Sequence, residues 1–345
     1  NLRMKVIITG GAGFIGCNAA SRFLKNGCEV VVIDNLSRAG AEANLKWLES
    51  LDTQEKLNFL NLDIREADKL IHAIVKHRES ELILHLAAQV AVTSSVVDPR
   101  FDFEVNAHGT FNLLEAVRLA KCPAAFIYAS TNKVYGGMED MEVALKDGRY
   151  AYTHVPEGIS EDRSLDFHSP YGCSKGSADQ YVRDYHRIYG LPTVVLRQSC
   201  IYGYRQFGVE DQGWVAWFTI ATEIGKPITI YGDGRQVRDV LFIEDLVNAF
   251  EAVYQNIDKV AGKVFNIGGG PSNVLSLLEL IGHLEKRTQS TIEYGHEDWR
   301  PGDQRIYVSN ISKAKNELGW SPKIGCQEGL DLLHDWVVAN KDLFR

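Results

Sequence analysis

The chain has 345 residues, 45% hydrophobic and 24% charged, an ordinary globular composition that argues against disorder and suits one large domain carrying a smaller lobe. Its 37 Lys and Arg against 45 Asp and Glu give a net charge of −8, which repels nucleic acid and removes it from the expected partners. No apolar run approaches the ~20 residues that cross a bilayer, and no basic segment leads into an apolar signal stretch, so no membrane association or secretion is expected.

Asn1, Leu2 and Arg3 precede Met4, which reads as a natural start, and those three are set aside as an expression remnant. Short β-branched runs then alternate with helical patterns, and strands are expected at 5–9, 29–34, 57–62, 82–87, 125–129 and 193–198. Near-continuous apolar strands are buried on both faces. Separated by amphipathic helices, they imply right-handed βαβ crossovers and a Rossmann-type doubly wound parallel sheet. A seventh run at 263–267 comes late enough to rejoin that sheet. After Tyr202 the pattern loosens around Gly232-Asp233-Gly234 and Gly268-Gly269-Gly270, which suggests a smaller C-terminal α/β lobe. The expected division is 4–201 for dinucleotide binding, with 240–268 returning to it, and 202–239 plus 269–345 for substrate. The cleft then lies at the carboxyl ends of the strands.

The first strand runs into Thr9-Gly10-Gly11-Ala12-Gly13-Phe14-Ile15-Gly16, which opens a helix. Gly10 permits the tight turn, Gly13 lets backbone approach a pyrophosphate at the helix N-terminus, and Gly16 allows close helix-to-strand packing, with Phe14 and Ile15 beside them. Glycine spacing alone is weak. Asp34 strengthens it, because it ends the second strand where a carboxylate can accept hydrogen bonds from an adenosine ribose. Such a carboxylate repels a 2′-phosphate and favours NAD over NADP, although Arg38 could meet that phosphate. Asn35 and Ser37 lie at the same strand end. Asp63 and Ile64 after the third strand, and Leu86, Ala87, Ala88 and Gln89 after the fourth, are expected to line the rest of the cofactor.

Tyr171 and Lys175 stand four apart on one helix face, with Ser169 as a cap, Pro170 in the first turn, and Gly190 and Pro192 at the end. A buried cation beside a phenol favours phenolate, as does a positive nicotinamide, so Tyr171 is expected to act as a base near neutral pH. Thr131 follows the fifth strand and emerges at the same sheet edge, where its hydroxyl can bond the reacting oxygen. The six cysteines form no C-x-x-C pair and have no neighbouring His, so no zinc site or disulfide framework is expected and a reducing cytoplasm fits. His85, inside an apolar run, reads as a satisfied core residue.

The glycine loop, Thr131, Tyr171 and Lys175, in this order and spacing, resemble the extended short-chain dehydrogenase/reductases. That resemblance implies that Asn106, in an N-x-x-G-T helix, is a structural and proton-relay residue. It further implies that 232–239 is a nucleotide-sugar segment, with Arg238 and Arg300 holding the diphosphate by bidentate contacts. Arg205, Gln206, Arg235 and Asn132 are further substrate candidates. The family's dehydratases carry an Asp-Glu pair after the catalytic threonine, whereas Asn132 and Lys133 stand here. Elimination of water needs a proton donor and acceptor next to the ketone, so their loss argues for epimerisation.

The stretches 130–136, 166–176, 205–207 and 211–214 look most like those of epimerases that invert C2 of a CDP-linked hexose. UDP-hexose 4-epimerisation is the alternative, and a non-catalytic NAD-binding redox sensor is the alternative from another class. Cys200 departs from the asparagine that many relatives carry. The family analogy also implies a homo-oligomer.

Overall fold

The computed structural model describes residues 4–345; the expectation concerning Asn1 to Arg3 lies outside the described residues. Seven parallel strands form one sheet: β1 (Lys5–Thr9), β2 (Glu29–Asp34), β3 (Leu57–Asn61), β4 (Leu82–His85), β5 (Ala125–Thr131), β6 (Thr193–Gln198) and β7 (Val264–Ile267). Their spatial order is β7-β6-β5-β4-β1-β2-β3, so the order reverses between β1 and β4. In open α/β sheets ligands bind in a crevice at such a switch point, here beside the loops after β1 and β4.

The alternation within each strand explains why the sheet is covered on both sides. Val6 and Ile8 of β1 pack into one apolar layer with Phe23 and Phe250, while Ile7 packs into the other with Leu70 and Leu113. His85, at the end of β4, is buried with both ring nitrogens satisfied, at 2.6 Å from Thr9 Oγ1 and 2.8 Å from Thr110 Oγ1. It is a core residue, as expected.

Three strand ends differ from the sequence expectation. β3 stops at Asn61 and β4 at His85, because the chain there turns outward to form the crevice walls. β5 continues to Thr131, which pairs with Gln198 of β6, so Thr131 is the last strand residue rather than one beyond it. Outside the main sheet stand an antiparallel hairpin, Val143–Lys146 with Arg149–Tyr152, and, after Tyr202, small sheets in which Val237–Asp239 lies between Val274–Ser276 and Ile306–Tyr307. Among the described residues no helix is long and apolar enough to cross a membrane.

Candidate active site

Gly10 has φ of +69°, and a Cβ on it would stand 2.7 Å from the backbone nitrogen of Ala87. The first turn is thus pressed against the chain leaving β4, a fit only glycine makes. At Gly16 a Cβ would sit 2.1 Å from the carbonyl of Gly10, which packs the helix α1 (Phe14–Lys25) onto the loop. Asp34 closes the other side. Its carboxylate accepts from Ala12 N at 3.0 Å and from Leu36 N at 2.8 Å, so the group expected at the ribose also braces the loop.

Asn35 donates to Asp63 at 3.2 Å and accepts from Ser37 N at 3.1 Å, and Arg65 forks onto Asp63, holding that carboxyl below its ordinary range. Ile64 fills the space beside Gly109, where a Cβ would lie 2.6 Å from its side chain. Arg38 is exposed, donates to Gln212 at 2.9 Å, and lies in the field of Asp34 and Tyr171.

Arg205 and Gln206 are not brought to the substrate side. Arg205, at φ of +62°, turns its guanidinium behind the glycine loop, where it donates to Asn44 Oδ1 at 2.8 Å and stacks 4.7 Å from the Trp47 ring. Gln206 is consumed within its own turn, accepting from Gly203 N and donating to the carbonyl of Ile201. The direction of a side chain leaving a left-handed residue is invisible in a sequence pattern, which is why both were expected at the sugar.

Asn106 lies in a π-helical turn, Glu104–His108, a rare distortion that often marks functional sites. It accepts from Gln89 N at 2.9 Å and donates to the carbonyl of Gln89 and to Asp102 Oδ1. Gln89 also donates to Asp102 at 2.8 Å. This buried set fixes the chain from Leu86 through Ala88 at the crevice wall.

Tyr171 and Lys175 project from the helix α2 (Ser169–Tyr189), which starts on Pro170 and ends at the left-handed Gly190. Ser169, expected as the cap, is the first helical residue, and its Oγ accepts from Gly172 N at 3.2 Å; the N-cap position itself is His168, whose side chain makes no capping bond. Both catalytic candidates are buried. The Lys175 ammonium donates to the carbonyl of Ala129 at 2.6 Å and lies 4.8 Å over the Tyr128 ring, and burial pulls its pKa down to about 8.

Burial pushes the Tyr171 phenol up to about 12, with the hydroxyl of Thr131 beside it opposing the rise. The Arg38 cation also opposes the rise, whereas Lys175, turned to Ala129, is not among the groups that lower it; a bound cofactor cation would add to the stabilisation of the phenolate.

Sequence reasoning missed what fixes this helix. Arg197 of β6 forks onto Asp179 at 2.9 and 3.0 Å, and Ser130 donates to the same carboxylate at 2.7 Å, all three buried. Asp179 follows Lys175 by four residues and so shares its helix face, the one sequence signal available.

On the substrate side, Arg238 is half-buried and donates to the carbonyls of Val237 and Gln304, both at 2.8 Å. Arg300 stacks 3.9 Å from the Tyr231 ring and pairs with Asp211 at 2.7 Å, while Arg235 is exposed. Asn132 donates to Ser199 Oγ at 3.3 Å, and Ser199 donates to the buried Asp239 at 2.6 Å. Cys200 carries a φ of +39°, within the field of Arg238 and Lys133. Among the described residues no group of side chains has the makeup of a metal site.

The chain is similar to known proteins over nearly its whole length. A sequence model of the family described as GDP-mannose 4,6 dehydratase matches residues 7–333. The CDP-paratose 2-epimerase of Salmonella typhi is 47% identical over 341 residues, covering 97% of this chain and 100% of that protein. Among solved structures, UDP-glucose 4-epimerase of Thermotoga maritima with UDP-glucose superposes with a TM-score of 0.82 at 32% identity, over 97% of this chain and 99% of that one. UDP-glucuronic acid 4-epimerase of Bacillus cereus, in complex with UDP-glucuronic acid and NAD, gives 0.81 at 29% identity, over 97% and 99%.

Proposed function

Because the chain belongs to the extended short-chain dehydrogenase/reductases, within the nucleotide-sugar family whose model spans residues 7–333, we propose that it is an NAD-dependent epimerase that inverts C2 of a CDP-linked hexose. The observation that carries this reading is a complete Thr131, Tyr171 and Lys175 set followed by Asn132 and Lys133, where an eliminating enzyme needs two carboxyl groups. The likeness to CDP-paratose 2-epimerase over the whole chain supports the choice of CDP and of C2.

The crevice at the strand-order switch suits NAD. Gly10, Gly13 and Gly16 leave room for a pyrophosphate, Asp34 faces the ribose end, and the Leu86 to Gln89 wall is held by Asn106. When bound, NAD accepts and returns the hydride. Tyr171 takes the proton of the C2 hydroxyl as the carbon is oxidised, and Thr131 holds the oxygen. Lys175, which here donates to the carbonyl of Ala129, would hold the cofactor ribose. The 2-keto sugar presents its other face, and Tyr171 gives the proton back to the re-reduced oxygen. Arg238 and Arg300 hold the diphosphate, the latter on release from Asp211.

The same reading assigns 4–201 with 240–268 to the dinucleotide domain and the remainder to the substrate lobe. It also places the enzyme in the reducing cytoplasm as a homo-oligomer. Phe111, Leu119, Tyr181, Ile188 and Tyr189 lie exposed on two adjacent helices, with Phe111 and Tyr181 in edge contact at 5.8 Å, and a second copy is the occupant that fits this self-contained aromatic face.

Turnover of CDP- and UDP-hexoses followed by NMR of the product tests the proposal. Inversion at C2 of the CDP-sugar is expected. Inversion at C4 of a UDP-sugar establishes the alternative, and the absence of any turnover leaves a redox sensor, a role that the retained Tyr171 and Lys175 disfavour.

A further inference from the structure

We infer that Lys133 selects the reacting carbon: its ammonium draws the sugar-phosphate bridge towards Thr131 and Tyr171, so that C2 rather than C4 meets the base. This rests on the C2 reading above.

Lys133 lies in a short helical turn, Asn132–Tyr135, whose backbone is tied down on both sides. Its N–H donates to Thr131 Oγ1 at 3.2 Å, and its carbonyl accepts from Gly136 N at 3.2 Å. That carbonyl also faces Gly172, the neighbour of Tyr171, where a Cβ would stand 3.7 Å away. The stem of Lys133 therefore starts between the base and its hydroxyl partner. From there the half-buried side chain runs into the field of Arg238, Asp303 and Cys200.

Among the described residues Lys133 and Arg238 form no ion pair, and Arg238 spends its donors on the carbonyls of Val237 and Gln304. The Arg238 cation acts on Lys133 more strongly than the Asp303 carboxylate opposes it, so the two half-buried cations repel each other until a further anion enters between them. The diphosphate of a nucleotide sugar supplies that charge.

The geometry of the sugar then matters. C2 adjoins the anomeric carbon that carries the phosphate oxygen, whereas C4 lies across the ring. Presenting C4 to Tyr171 sets the whole ring between base and phosphate; presenting C2 requires the phosphate close beside the base. A cation rooted next to Thr131 favours the second arrangement. A carboxylate at the same place would repel the phosphate from it.

The test uses the full chain with its bound NAD and a CDP-hexose, with product NMR to report the carbon inverted. Lys133→Met is expected to lower kcat for C2 inversion about a hundredfold while KM changes less than about fivefold, as misplacement by about an ångström does. Lys133→Arg, which keeps the cation, is expected to recover at least about a tenth of wild-type turnover. Retained NAD and an unchanged Tm show that the variants are folded, and Lys133→Gln provides the same comparison should the Met variant lose NAD.

A kcat within about twofold of wild type, a loss confined to KM, or an Arg variant no better than Met overturns the role of Lys133. Wild-type enzyme that inverts C4 refutes the C2 reading itself. Wild-type C2 inversion with an indifferent Met variant refutes only the part played by Lys133.

Discussion

Arg205 Nε donates to Asn44 Oδ1 at 2.8 Å, and Asn44 in turn donates at 3.0 Å to the carbonyl of Ala12 inside the glycine loop. A buried guanidinium thus supports the dinucleotide loop from behind, through one amide. Arg205→Ala should lower the NAD content of purified protein and speed NAD release by about tenfold, on the order of the 1–3 kcal/mol that a broken buried polar contact costs. KM for the sugar nucleotide, measured with NAD in excess, should stay within about twofold. A change in KM without loss of NAD would return Arg205 to the substrate.

Tyr171→Phe removes the proton acceptor but leaves the burial of the ring in place. Turnover should fall by about a hundredfold to ten-thousandfold, the usual worth of a positioned base. Bound NAD, quantified after denaturation, should be unchanged.

Lys175→Met should behave differently, because Lys175 is assigned to the cofactor ribose. It should lose NAD as well as turnover. Equal NAD retention in the Tyr171 and Lys175 variants would remove the assignment.

His85 gives the protein a defined sensitivity to acid. Burial lowers its pKa from 6.5 to about 3, so the folded imidazole stays neutral where the unfolded one binds a proton. The contribution to stability is complete above the unfolded value and is lost as pH falls towards the folded one. Between about pH 6.5 and about pH 5 it should cost about 2 kcal/mol. His85→Asn breaks the bonds to Thr9 and Thr110 and lowers stability at every pH, but its unfolding free energy from urea titrations should fall less steeply over that range. Parallel slopes would show that His85 is not the group responsible.

The exposed aromatic face predicts an assembly. Phe111→Glu combined with Tyr181→Glu should dissociate the oligomer, as measured by light scattering after size exclusion. An unchanged mass would place the interface elsewhere.

The parallel strands were legible because each is apolar on both faces: Val6, Ile7 and Ile8 need no partner to announce a buried strand. Their ends were not, since Leu62 and Leu86 are as apolar as the strand residues before them and only the turn into the crevice ends the pairing. The glycine loop was legible because the close approach of Gly10 to Ala87 and of Gly16 to Gly10 restricts what can stand there. Arg205 misled, since its type fits a phosphate and only its left-handed backbone turns it away. The clamp of Arg197 on Asp179 and the π turn at Asn106 stayed hidden, because each depends on contacts between segments far apart in the chain.

In the proposed reaction Tyr171, Thr131 and Lys175 serve a hydride that leaves C2 and comes back to the same carbon from the other side. The direct measurement uses a CDP-hexose carrying deuterium at C2, turned over in ordinary water by the protein with its own NAD. The account predicts an inverted C2 that has kept its deuterium. Deuterium exchanged with solvent, or a C2 configuration unchanged while C4 inverts, would contradict it.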